Sequence, residues 1–158
     1  MHLLSIDDLA KETLFELIQS ALELKKANKT GTPHPYLKGK SLAMIFEKPS
    51  NRTRVSFEIG MFQLGGHAIP LDMSTLMLGQ RETVADVGHT LSRYVDGIMY
   101  RSNQHKDIVS LSEAASVPVI NGLSDKEHPC QALADLLTIY EKLNTFKNKK
   151  LCYIGDGN

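Results

Sequence analysis

The chain has 158 residues, a length that fits one domain with a real apolar core. Lysine plus arginine and aspartate plus glutamate number 18 each, so the formal net charge is zero, and the sequence lacks the basic stripe that a nucleic-acid partner requires. Residues 1–9 contain Asp7 and Asp8 and no long apolar run, which argues against a signal peptide or a membrane-spanning segment, while two cysteines, Cys130 and Cys152, are too few for a disulfide framework and fit reduced thiols in a cytoplasmic protein.

Taken in order, Ser5 and Asp8 have the spacing of a helix capping box, with Asp in place of the usual Glu. Leu9, Leu14, Leu17, Ile18, Ala21 and Leu22 then mark an amphipathic helix that ends in the loop 29–35, where Gly31, Pro33 and Pro35 fall. Residues 42–46 read as a buried strand. Pro49 ends that run, and Ser50 opens a helix whose apolar positions Val55, Ile59 and Phe62 recur at i, i+4 and i+7, closed by Gly65 and Gly66. A second strand is predicted at 67–71, a polar loop with Gly79 at 74–81, a helix at 83–94 and a strand at 97–100. A helix at 107–115, a short strand at 117–120 and a helix at 129–143 follow, the last with Pro129 suited to its first turn. The charged segment 147–150 leads into a last strand, 151–154.

Strands and helices alternate throughout. The pattern predicts an α/β fold, a parallel sheet flanked by helices on both faces. Ligands of such sheets bind at the carboxyl ends of the strands. Three groups of chemically capable residues fall there. Residues 151–154 read as the opening strand of a further α/β unit, with 155–158 as its turn, so the chain is expected to be the first half of something larger.

The first group is Ser50, Asn51, Arg52, Thr53 and Arg54. A helix start with backbone N–H groups, hydroxyls and two arginines suits a dianion; an ordinary capping serine with solvated arginines accounts for the same residues. Arg54 has a further option, pairing with Glu47 or with Glu58 at i+4. The second group is Arg101, at the end of a buried strand, where a guanidinium is costly unless used or paired; Asp96 and Asp107 are the candidate partners. The third is His128, Pro129, Cys130 and Gln131. His128 and Gln131 either point at a substrate from a helix start or cap that helix beside its proline. Cys130 has no second member of a nucleophilic triad and reads as packing. His67, His89 and His105 lack metal-ligand spacing, Met73, Met77 and Met99 read as filler, and residues 155–158 are too short for a dinucleotide fingerprint.

Ser50, Arg52, Thr53 and Arg54 spell Ser-x-Arg-Thr-Arg; His128, Pro129 and Gln131 spell His-Pro-x-Gln; Arg101 lies between them. In this order and combination the chain resembles the carbamoyltransferase family over nearly its whole length. Phe46-Glu47-Lys48-Pro49 and Asn121-Gly122-Leu123-Ser124-Asp125 are similar to the ornithine branch of that family. Aspartate carbamoyltransferases usually have Asn-Ala-Gly-Asp-Gly in the second place and a Lys-Gly-Glu loop; the corresponding loop here, Leu78-Gly79-Gln80-Arg81-Glu82, lacks that lysine. Two residues depart from the pattern. Asn51 stands where threonine or methionine is more usual, and Met77 stands where many members have a glutamine that contacts carbamoyl phosphate.

The resemblance implies a carbamoyl-phosphate-binding domain at 1–146 and the start of an ornithine-binding domain at 147–158, with Asn158 a candidate contact to ornithine. It implies transfer of the carbamoyl group from carbamoyl phosphate to the δ-amine of L-ornithine, giving L-citrulline and phosphate, without metal, cofactor or covalent intermediate. Ser50, Asn51, Arg52 and Thr53 would hold the phosphate. Thr53, Arg101 and His128 would donate to the carbonyl oxygen, and Gln131 would hold the carbamoyl nitrogen. Members of the family form catalytic trimers with sites at subunit contacts. Two alternatives compete: transfer to aspartate or another amine, and a non-catalytic anion-binding or assembly module. Neither a nucleic acid nor a membrane is an expected partner.

Overall fold

The computed structural model describes residues 1–72 and 82–155. The loop read at 74–81, with Met77, and the expected ornithine contact Asn158 lie outside the described residues.

Four strands, β1 (Ser41–Phe46), β2 (His67–Asp72), β3 (Gly97–Arg101) and β4 (Val119–Leu123), form one sheet in the order β2-β1-β3-β4. Every pairing is parallel. Among the described residues the helices are α1 (Lys11–Lys29), α2 (Asn51–Gln63), α3 (Val84–Leu91), α4 (His105–Ala114) and α5 (Pro129–Leu143). The expected architecture is therefore the one observed.

Alternation along the strands sorts the core into two layers, as a sheet covered on both faces requires. Ala43, Ile45, Ile98, Tyr100 and Val119 pack with Val87 of α3 and with Ile108 and Leu111 of α4. Leu42, Met44 and Met99 face the other way and meet Met61 of α2, with Phe57 beside it. Met44, Ile45, Ile98, Met99 and Tyr100 are wholly buried, each contributing roughly 1.5–3 kcal/mol of apolar burial. The α5 helix packs on β4, and α1 packs on α5, where the Phe15 and Tyr140 rings meet edge-on at 5.7 Å.

The chain's first residues complete the sheet. Leu3 pairs in parallel with Ile120; its amide donates to the Val119 carbonyl at 2.8 Å, and its carbonyl accepts from the Asn121 amide at 2.8 Å. The Asn121 side chain donates to the Leu4 carbonyl at 2.9 Å, and the Ile6 amide donates to Glu127 at 3.0 Å. Ser5 belongs to this arm and not to a capping box: its hydroxyl accepts from the Asp7 amide at 3.2 Å, and α1 starts later, from Ala10.

Three other expectations shift. On α2 the inward stripe is Thr53, Phe57 and Met61, while Val55, Ile59 and Phe62 are 49%, 49% and 77% exposed. The sequence offers two apolar stripes, and the one that turns in packs Phe57 and Met61 on the sheet and carries Thr53, bonded to Arg101. The strand read at 117–120 runs over Val119–Leu123 instead, because Asn121 and, past a register shift at Gly122, Leu123 continue the ladder. Residues 151–154 form no strand; no neighbouring ladder among the described residues takes up their backbone groups, and Leu151, Tyr153 and Ile154 are 81%, 70% and 93% exposed.

Candidate active site

From β1 the chain passes through α2 to β2 on one side, then crosses to β3 on the other. The winding thus reverses between β1 and β3, which opens a crevice at their carboxyl ends. Residues 50–54 follow β1, and Arg101 ends β3, with Phe46 and Arg101 opposite each other in the ladder.

Ser50 is the residue before α2, in extended conformation, and its side chain makes no capping bond. The first intrahelical bond runs from the Arg54 amide to the Ser50 carbonyl at 3.3 Å. The amides of Asn51, Arg52 and Thr53 precede it and so have no intrahelical acceptor. No acidic residue occupies the first turn. An ordinary serine cap is therefore not what this helix start has; it presents N–H groups, a hydroxyl and Arg52 at the positive end of a helix.

Arg101 reaches this turn. Its Nη1 donates to Thr53 Oγ1 at 3.0 Å, and Thr53 is buried. The alternative ion pairs are not made: Asp96 takes Lys40 at 2.8 Å, and no ion pair reaches Arg101 among the described residues. Burial, and then the nearby Arg52 charge, lower the Arg101 proton affinity below the ordinary guanidinium range. Arg54 turns away and pairs with Glu58 at 2.9 Å.

His128 precedes α5, with Pro129 in its first turn, and its Nδ1 accepts from the Gln131 amide at 3.4 Å. Using Nδ1 as acceptor puts the ring proton on Nε2, so capping and donation to a ligand are compatible in one tautomer. Desolvation first, and the Arg101 charge second, hold His128 below its ordinary value, with Asp135 opposing. It is thus a neutral donor near neutral pH. Arg52 bears on Arg101, and Arg101 bears on His128, so the three segments share one electrostatic neighbourhood. The Gln131 side-chain amide donates to Asp135 at 2.9 Å, which leaves its carbonyl oxygen to accept. Burial pushes the Cys130 thiol up to about 11, which makes it unreactive packing.

Glu47 is the residue that sequence reasoning misplaced. It does not meet Arg54; its carboxylate accepts from Tyr100, Ser102 and Asn103 around the end of β3. These partners lie 53 to 56 residues away, and no local pattern announces such a contact. Among the described residues no group of three or more His, Cys, Asp or Glu side chains is placed to hold a metal, and no helix is long and apolar enough to cross a membrane.

Comparison with known proteins gives this crevice a family. The family model described as "Aspartate/ornithine carbamoyltransferase, carbamoyl-P binding domain" matches residues 1–141. An ornithine carbamoyltransferase of Halalkalibacterium halodurans is 56% identical over 156 residues, 99% of this chain and 49% of that protein. The solved ornithine carbamoyltransferase of Pyrococcus furiosus superposes with a TM-score of 0.89 at 53% identity, covering 91% of this chain and 46% of that one. The catalytic subunit of M. jannaschii aspartate transcarbamoylase superposes with 0.84 at 34% identity, covering 90% and 47%. The chain spans about half the length of the curated relatives it matches. With its parallel sheet, its two signatures and these relatives in hand, the chain belongs to the aspartate/ornithine carbamoyltransferase family.

Proposed function

We propose that the crevice binds carbamoyl phosphate, and that the protein transfers its carbamoyl group to the δ-amine of L-ornithine, giving L-citrulline and phosphate. The observation that carries this reading is the Arg101–Thr53 bond, which joins the end of β3 to the start of α2 at the reversal of the sheet. In this reading residues 50–53 and Arg52 hold the phosphate. The neutral δ-amine attacks the carbamoyl carbon; a C–N bond forms, the C–O bond to phosphate breaks with its electron pair on the phosphate, and the proton that the amine nitrogen sheds goes to that phosphate. Thr53, Arg101 and His128 Nε2–H donate to the carbonyl oxygen as charge gathers on it, and Gln131 accepts from the carbamoyl nitrogen. Pre-placed donors of this kind are worth on the order of a hundredfold in rate each, and orientation of two substrates supplies much of the rest. Ornithine is favoured over aspartate by the ornithine carbamoyltransferases among the relatives and by the sequence at 46–49 and 121–125.

The division into a carbamoyl-phosphate unit at 1–146 and the start of an ornithine unit at 147–158, with Asn158 toward ornithine, belongs to the same proposal, as does a cytoplasmic setting. So does self-association into trimers, supported by the exposed apolar row Val55, Ile59 and Phe62 of α2. Calorimetric titration of the 158-residue chain with carbamoyl phosphate should give saturable binding, and a citrulline assay of the chain alone should give little or no turnover. Absence of binding would refute the site, and full turnover would refute the division. Sedimentation of Phe62→Asp should give a smaller species than the parent; an unchanged size would remove α2 from the contact.

A further inference from the structure

We propose that Glu47 is a positioning residue that clamps the end of β3 and so holds Arg101 against Thr53. The inference rests on reading Arg52, Thr53 and Arg101 as the anion site, and extends it to a residue with no part in ligand contact.

Glu47 is the first residue past β1. Its amide donates to the Arg101 carbonyl at 3.1 Å. Its carboxylate accepts from the Tyr100 hydroxyl, from the Ser102 hydroxyl at 2.9 Å and from the Asn103 amide at 2.6 Å. Arg101 is therefore gripped by its own carbonyl and, through its neighbours on both sides, by a single carboxylate. The donors are fixed. Ser102 Oγ already accepts from the Gln104 amide at 3.1 Å, so its proton goes to Glu47, and Tyr100 is wholly buried with its hydroxyl committed. The clamp sits at an irregularity: the β3–β4 register shifts between Tyr100 and Arg101, and Arg101 lies opposite Leu123 instead of Gly122. A register shift at a strand end re-aims the side chain beyond it, and Glu47, just past β1, restrains that end from the other side.

A carboxylate beside an anion site is otherwise adverse. Glu47 lines a cavity of about 210 Å³ together with Lys48, Arg101, Ser102 and Asp125. Its charge opposes a dianion held by Arg101 and the start of α2, whereas its hydrogen bonds favour one by placing Arg101. The two effects have opposite signs, so neutralising the charge separates them. Glutamine keeps the size but offers one acceptor oxygen and one NH2 group to three donors, and the Asn103 amide cannot turn round to accept.

The test is titration of the chain with carbamoyl phosphate, for Glu47→Gln, Arg101→Ala and the double variant, with circular dichroism to check folding. Glu47→Gln should weaken binding by about tenfold or more, the scale of a misplaced binding group. In the Arg101→Ala background the same change should weaken it no further, or tighten it slightly, because the charge is gone and there is no guanidinium to aim. A merely structural role would weaken both backgrounds alike and overturn the proposal, as would tighter binding by Glu47→Gln alone. Tyr100→Phe removes one hydroxyl from the clamp and should weaken binding in the same direction; if Glu47→Gln does not fold, the cycle is read with Tyr100→Phe in its place. An Arg101→Ala chain that binds as well as the parent would refute the site itself, an outcome distinct from a Glu47 variant without effect.

Discussion

Two helix starts in this molecule are built from similar residues and do different things. At α3, Thr83 and Asp86 form a complete capping box: the Thr83 hydroxyl accepts from the Asp86 amide at 3.1 Å, and the Asp86 carboxylate accepts from the Thr83 amide at 3.3 Å. That turn satisfies itself, and its acidic residue complements the helix dipole. At α2, Ser50 makes no such bond, the first turn has no acidic residue, and two arginines follow. One start is closed by its own side chains; the other keeps its donors for something else. A serine or threonine before a helix is thus not informative by itself. What separates the two cases is whether the third residue of the helix is an acid that reaches back or, as here, a threonine bonded to Arg101.

The comparison breaks most sharply at Arg52. Arg52→Ala should all but abolish carbamoyl phosphate binding with the fold intact; unchanged affinity by calorimetry would make the two starts equivalent. Thr83→Ala should do the reverse, costing about 1 kcal/mol of stability, or about 2–4 °C in thermal midpoint, with affinity unaltered. Ser50→Ala should cost only a few tenths of a kcal/mol of stability, less than the roughly 1 kcal/mol of a true cap, and denaturant melts of the two alanine variants side by side decide it. The smallest effect concerns acid. His128 is held below its ordinary value in the folded chain, so between that lowered value and about 6.5 the unfolded chain binds more protons. Stability therefore falls as pH drops through 6.5 and levels off below the folded value. Urea melts across that window should show a smaller fall for His128→Gln; an equal fall would mean that His128 contributes nothing to it.

Much of the fold was legible. The β1 run and the α5 helix stand where the residues 42–46 and 129–143 were read, because a short buried apolar run and a proline-started amphipathic helix are local signals. What failed was long-range. Ser5 has capping spacing with Asp8 but is drawn into the arm beside β4. The strand read at 117–120 runs on to Leu123 past an unpaired Gly122, since β3 lies against it. Val55, Ile59 and Phe62 looked like the buried stripe, and their neighbours Thr53, Phe57 and Met61 took that place. The candidate site reads in the sequence as two motifs and an arginine; the bonds that join Arg101 to Thr53 and Tyr100 to Glu47 link residues about fifty apart, which no window of sequence contains.

The arm at the start of the chain has a kinetic consequence. His2 and Leu4 find their β4 partners 117 residues downstream, so during synthesis this segment cannot dock until β4 has been made. The loop it closes is among the longest the domain contains, and long closures come late and slow the search. Amide exchange at Leu3 and Asn121 should accordingly become protected after the β1–β3 pair, which makes this arm a late piece to settle.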